Sequence, residues 1–259
     1  MTQSQPVLHE RREAIALVTL NEPKRRNAMS MALRQGLIDQ VEDAMADPDI
    51  RVIVITGAGG TFCAGGDLTS MAGLTPVAGR DRLKSLHRLA RRIVQGEKPV
   101  IAAVEGYAFG AGLSLAAACD QVVAARDAKF CASFNKVGLM ADFGSLWTVP
   151  MRVGMGRAKR LLMLAEVVDG ETAAAIGLAD EVVEPGRALE AALDLAARFA
   201  AGAPLGHALT KAALSAGPQS FQDMLDREAL SQGILFGSDD FAEGRAAFFE
   251  KRAARFQGR

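Results

Sequence analysis

Cysteine is scarce. Cys63, Cys119 and Cys131 are the only three in 259 residues, an odd number without C-x-x-C spacing. That excludes a disulfide framework and a cysteine zinc cluster, and leaves three free thiols. An excess of charge is missing too: 30 basic against 30 acidic residues give a formal net charge of +0, so there is no polycationic footprint for nucleic acid. No stretch approaches the roughly 20 apolar residues of a membrane helix, and the opening MTQSQPVLHERR has no signal-like apolar segment. The expectation is a cytoplasmic chain with neither a membrane nor a nucleic-acid partner. What is present, 49% hydrophobic and 23% charged residues, suffices for one large α/β domain or a core with a small appended one.

Short apolar runs alternate with helical periodicity. AIALVTL (14–20), RVIVITG (51–57), VIAAV (100–104) and QVVAA (121–125) have strand length, and RVIVITG has the continuous apolar character of a parallel strand buried on both faces. Ser30 caps a helix expected over Met31 to Ala46, with Leu33, Leu37, Ile38 and Val41 on its apolar side and Asp47-Pro48 stopping it. A second helix is expected from about Asp81 to Gln95, after a Gly/Pro break in GLTPVAG, and a third in LSLAAAC. Strand–helix alternation implies right-handed crossovers. From Gly156 onward the pattern is almost wholly helical, around 156–165, 171–177, 188–202, 204–216 and 221–255.

Two glycine-rich loops each follow a buried strand: GAGGTFCAGGD after VIVIT and EGYAFGAG after VIAAV. A Rossmann fingerprint starting at Gly57 would need glycine at position 62, which is Phe62, and an acidic residue about 20 positions on. A P-loop would need Gly-Lys-Ser/Thr, which neither loop supplies. The remaining reading is that each loop presents bare backbone N–H groups. The peptide around Ala111 and Gly112 opens a helix, where N–H groups lack partners and the dipole favours negative charge. Two such donors aimed at one point make an oxyanion hole.

FCAGGDL (62–68), followed by KPVIAAVEGYAFGAGLSLAAACD (98–120), resembles the crotonase family of enoyl-CoA hydratases and isomerases. LNEPKRRNAMS (20–30), AAIGLADEVVEP (174–185) and EGRAAFFEKR (243–252) extend the likeness over nearly the whole chain. The resemblance implies an α/β fold, a spiral of ββα units over residues 1–200 carrying acyl-CoA binding and catalysis. It also implies a helical trimerisation region over 201–259 that completes the CoA site. It places the oxyanion donors at Gly66 and Ala111. The CoA contacts fall on Arg25, Arg26, Ala64 and Leu68, with Phe248 and Lys251 supplied by a neighbouring subunit. Coenzyme A enters only as part of the substrate, with no separate cofactor or metal, and the partners are copies of the chain as a homotrimer or a dimer of trimers. Thr69 stands where many relatives carry a lysine.

A hydratase of this family uses two glutamates; here the corresponding positions are Ser114 and Phe134, neither of which can hold a proton charge near neutral pH. Asp142, in VGLMADFGSLW, occupies the place of an isomerase aspartate. Apolar surroundings would raise its pKa so that it can take and return a proton. The expected reaction is migration of a 3-enoyl-CoA double bond to the 2-position, with the proton taken from C4 and returned to C2. Capping of the helix GSLWTV is the competing role for Asp142. His87 is expected on an inward stripe with Leu83, Leu86, Ala90 and Val94; paired with Asp142 it would suit a hydrolase or dehalogenase, and by itself a structural histidine. The loss of both glutamates is also compatible with a weak hydratase or a non-catalytic CoA-binding scaffold. Phe62, Met71, Leu74, Phe134, Met140, Phe143 and Trp147 are candidate pocket walls.

Overall fold

The structure, a computed structural model, describes residues 5–217 and 219–259. Six strands form the main sheet: β1 (Val7–Arg12), β2 (Ile15–Leu20), β3 (Val52–Gly57), β4 (Val100–Val104), β6 (Gln121–Ala125) and β9 (Glu181–Val183), in the order β1-β2-β3-β4-β6-β9. Within this sheet only the β1–β2 pair is antiparallel. A second, three-stranded sheet holds β5 (Tyr107–Phe109), β7 (Lys129–Cys131) and β8 (Val167–Asp169). One turn of the spiral therefore lays a strand in each sheet and closes with a helix. Strands β4 and β5 precede α3 (Ala111–Ala118); β6 and β7 precede α4 (Ser145–Val153) and α5 (Met155–Leu164).

The strand residues alternate between two buried faces. Ile53, Ile55, Ala102 and Val104 face the large core shared with Leu33, Leu37, Ile38 and Val41 of α1 (Met31–Ala46) and Leu89 and Ile93 of α2 (Pro76–Gln95). Val52, Val54, Ile101 and Ala103 face α7 (Ala188–Ala200), which presents Ala188, Ala192 and Ala196. Alanine every fourth position lets that helix lie close against the sheet. Burial on both sides is why these strands read as unbroken apolar runs. Helix α6 (Gly170–Ala175) lies between β8 and β9, and α8 (Pro204–Leu214), α9 (Phe221–Phe236) and α10 (Asp239–Glu250) complete the chain.

Ser30 caps α1 as expected, its hydroxyl accepting from the Leu33 N–H at 3.1 Å. Two boundaries differ from expectation. The Gly/Pro break in front of α2 is itself the start of the helix, because Thr75 accepts from the Ala78 N–H and Pro76 takes the first helical position, where its missing N–H costs nothing. The expected helix 221–255 is two, parted at Gly237 and Ser238, where the Ser238 hydroxyl caps α10.

Candidate active site

The two glycine loops are tied together by one isolated parallel bridge. Cys63 pairs with Ala108; its N–H donates to the Tyr107 carbonyl at 2.8 Å, and the Phe109 N–H donates to the Cys63 carbonyl at 2.9 Å. The first loop is held on its other side by Met29, whose N–H donates to the Gly65 carbonyl at 2.7 Å. Asn27, fully buried, bonds through its amide to the Ala58 and Thr61 carbonyls and accepts from the Glu22 N–H. Gly65 has φ +104° with its backbone packed on Phe109, and a Cβ on Gly112 would stand 2.2 Å from the Cys63 carbonyl oxygen. Glycine is required at both positions.

This packing delivers two donors to one cavity of about 160 Å³, whose walls include Gly66, Ala111, Leu86, Phe134 and Asp142. Among the described residues, neither the Gly66 N–H nor the Ala111 N–H has a hydrogen-bond partner. Ala111 is the first residue of α3, a helix buried along its whole length, so the positive end of its dipole points at the same cavity.

Among the described residues, Asp142 is the only carboxylate in that wall. The two residues that follow fix its place: Phe143 is fully buried with φ +58°, and Gly144, with φ +80°, is the N-cap of α4. A left-handed phenylalanine persists only where the surroundings enforce it. Here complete burial of its ring does so, and Asp142 is left at the cavity. The expected capping role is overturned. Ser145 bonds the Asp142 backbone carbonyl through both its N–H and its hydroxyl, while the carboxylate atom Oδ1 is buried with no hydrogen-bond partner among the described residues. Burial raises the Asp142 pKa above the usual carboxylate value, and the charges of Arg82 and His87 only partly offset this. Two unpartnered N–H groups in one cavity with a desolvated carboxylate can polarise a carbonyl and move a proton beside it.

Ala64, Leu68, Met71 and Phe134 line the same cavity. Other expected residues do not. Ser114 is fully buried behind it, its hydroxyl donating to the Gly110 carbonyl at 3.3 Å. Phe62 and Phe143 are core residues, Met140 is exposed, and Trp147 lines a separate cavity of about 690 Å³ beside α8. His87 is exposed, contrary to expectation, because the buried stripe of α2 is Leu86, Leu89, Ala90 and Ile93, and His87 falls one position outside it. Its charge still reaches Asp142, but it is not part of the wall. Arg25 forms an ion pair with Asp67 at 2.7 Å, and Arg26 lies over the Tyr107 ring at 5.5 Å. Thr69 donates to Asp67 at 2.6 Å; this bond and Arg25 hold the Asp67 carboxyl below its ordinary pKa. Phe248 and Lys251 lie at the exposed end of α10. Arg82, which sequence reasoning missed, does line the cavity.

Parallel strands here feed two unpartnered N–H groups and one buried carboxylate into a single cavity, the equipment of an α/β enzyme able to hold an anionic oxygen beside a proton-carrying group. Comparison gives that class its family. Residues 10–259 match the family model described as enoyl-CoA hydratase/isomerase. The crotonyl-CoA hydratase of Syntrophomonas wolfei is 36% identical over 252 residues, covering 96% of this chain and 97% of that one. The 1,2-epoxyphenylacetyl-CoA isomerase of Escherichia coli K12 is 35% identical over 258 residues, with 98% of each chain covered. A crystal structure of an enoyl-CoA hydratase from Polaromonas sp. JS666 superposes with a TM-score of 0.92 at 34% identity, covering 96% of this chain and 99% of that one. The chain belongs to the enoyl-CoA hydratase/isomerase family, of the crotonase superfamily, and is an acyl-CoA enzyme with the crotonase fold.

Proposed function

We propose that the enzyme moves a double bond, converting a 3-enoyl-CoA to a 2-enoyl-CoA, with Asp142 as the only acid–base residue. The observation that carries this reading is that Asp142 is the sole carboxylate lining the cavity among the described residues, with phenylalanine at 134 and Ser114 buried away from it. Hydration needs a base for water and an acid for the α-carbon; isomerisation needs one group that gives back what it takes.

The direction expected from sequence is corrected by the chemistry of the substrate. In a 3-enoyl thioester C4 is vinylic and C2 carries the acidic proton. Asp142 therefore takes the C2 proton, and the electron pair spreads into a dienolate. Its oxygen is held by the Gly66 and Ala111 N–H groups. The protonated Asp142 then returns the proton to C4, the thioester carbonyl re-forms, and the double bond stands between C2 and C3. Hydrolysis through His87 is not favoured, since that side chain is exposed and outside the wall.

Arg25, Arg26, Ala64 and Leu68 are proposed to meet the CoA portion, with Phe248 and Lys251 contributed by a second copy in a trimer. Exposed Phe221, Leu230 and Phe236 on α9 and Phe248 and Phe249 on α10 are the apolar surface such an assembly would cover. Light scattering on the purified protein tests this, a monomer being the result against it.

The activity is tested by following 3-hexenoyl-CoA and 2-hexenoyl-CoA by NMR with wild type and Asp142→Asn. Migration in wild type and its loss by about 10²–10⁴-fold in the variant is the expected result. Hydration of 2-hexenoyl-CoA that survives Asp142→Asn would overturn the mechanism, and absence of turnover with bound CoA thioester would point to a scaffold.

A further inference from the structure

Arg82 is out of place in a small acyl cavity. It is half-buried in the wall, and among the described residues the one hydrogen bond its guanidinium makes is from Nη1 to the Ser70 hydroxyl at 3.3 Å. Behind it Arg34, only 6% exposed, donates from Nη1 to the Arg82 backbone carbonyl at 3.2 Å. Among the described residues, no carboxylate oxygen lies within 4.0 Å of either guanidinium. Surface arginines of this chain do better: Arg88 pairs with Glu42, Arg126 with Glu184, and Arg252 with Glu243.

Two neighbouring cations withdrawn from water without a counter-ion are costly. The Arg34 pKa is lowered, first by burial and then by the Arg82 charge, so the two do repel. Asp142 shares the cavity and feels Arg82, but makes no ion pair with it. Lys136, exposed at the rim, adds a third positive charge. The cavity thus carries two lining cations and one lining carboxylate, with a buried cation behind them.

We infer that Arg82 recognises a carboxylate at the far end of the acyl chain, so that the preferred substrates are CoA monothioesters of short dicarboxylic acids. The planar fork of an arginine matches a carboxylate bidentately, and of this guanidinium's nitrogens only Nη1 is engaged, by the Ser70 hydroxyl. The CoA phosphates are assigned to Arg25 and Arg26, which stand outside that wall, whereas Arg82 stands in it with Asp142, Leu86 and Phe134 as well as Ala64 and Leu68; both thioesters compared below carry the same CoA, so its phosphates cancel in their ratio. This inference rests on the reading of the cavity as the acyl site.

Binding of adipyl-CoA and hexanoyl-CoA, equal in carbon number and lacking a double bond to migrate, tests it by calorimetry without turnover. Wild type is expected to bind adipyl-CoA at least about tenfold more tightly, as for one charge-assisted bidentate contact. In Arg82→Met the ratio of the two dissociation constants falls to about one, and in Arg82→Lys it is intermediate. A wild-type ratio of one or less, or a preference that survives Arg82→Met, overturns the inference. Because the wild-type ratio decides by itself, an unstable variant does not blunt the test. Failure of the isomerase reading shows separately, in the 3-hexenoyl-CoA time course.

Discussion

Cys63 and Ala108 form a single parallel bridge, and each proposed oxyanion donor lies three residues beyond its member of the pair: 63 to 66 and 108 to 111. The pairing sets how far each loop runs before it reaches the cavity. The register of two loops distant in sequence is thereby fixed by this pairing together with the Phe62 N–H, which donates to the Glu105 carbonyl at 2.8 Å, and the donors converge because the backbones are matched at Cys63. The thiol plays no part in the chemistry, since burial pushes it up to about 12.

That pairing predicts the effect of Gly112→Ala. A methyl group 2.2 Å from the Cys63 carbonyl must push α3 off the first loop. A stability loss of about 1–3 kcal/mol is expected, with a loss of turnover larger than unfolding explains. Gly79→Ala, in α2 with open space around it, is the comparison: it should gain about 0.5–1 kcal/mol in urea unfolding and leave turnover alone.

Ala111→Pro deletes one donor without disturbing the helix, because proline suits the first helical position and the preceding Gly110 tolerates the restriction. Turnover should fall by about 10²–10³-fold with the circular dichroism spectrum unchanged. Full activity in a folded variant would remove Ala111 from the site.

Asp142→Asn should raise stability while it abolishes migration. The folded state holds the Asp142 proton more tightly than the unfolded chain, whose value is about 3.9. The stability this group contributes is present below about 3.9 and is lost as pH rises through its higher folded value. At neutral pH the buried, unpartnered charge is therefore a cost, and the variant should melt about 2–4 °C higher, the gain shrinking toward pH 4.

The same group sets the acid limb of the pH–rate profile. Asp142 must be ionised to take the C2 proton, so kcat/KM should rise with pH through a midpoint above the ordinary carboxylate value. Arg82→Met should move that midpoint upward, because the Arg82 charge holds it down. A midpoint at or below about 4 would show that another group governs the reaction.

Lys211 offers a prediction away from chemistry. Its buried ammonium joins α8 to the sheet, donating to the Lys98 carbonyl at 2.8 Å and to Asp120 at 2.6 Å. Burial raises the Asp120 pKa in spite of this partner. Lys211→Met should cost about 3 kcal/mol, measured by chemical denaturation, since it leaves the carboxylate uncompensated.

Much of this was legible in the chain. The cap at Ser30, the apolar side of α1, and strands β3, β4 and β6 follow from local pattern, and the family likeness led to Gly66, Ala111 and Asp142. The second sheet was not legible. Strands β5, β7 and β8 have three residues each, too few for a period of two to show, and their partners lie far along the chain. His87 was misplaced because Leu83, Ala90 and Val94 also recur at helical spacing; the buried face is centred one position away, on Leu86, Leu89 and Ile93. Arg82 was missed for a related reason. Six cations dot α2, at 80, 82, 84, 88, 91 and 92, and nothing local separates the one that faces a cavity from those that face water.

The proposed donors at Gly66 and Ala111 belong to the main chain, which bears on how such an enzyme changes over time. Almost any side-chain mutation leaves a peptide N–H in place, so the capacity to steady an enolate is inherited with the fold itself. The acid–base groups around it are ordinary codons that can be exchanged singly. Where the resemblance places a hydratase's two glutamates this chain has Ser114 and Phe134, and its cavity carboxylate is Asp142. A lineage built this way can pass through intermediates that have lost one reaction and not yet gained another, while still holding the reactive anion that both reactions share.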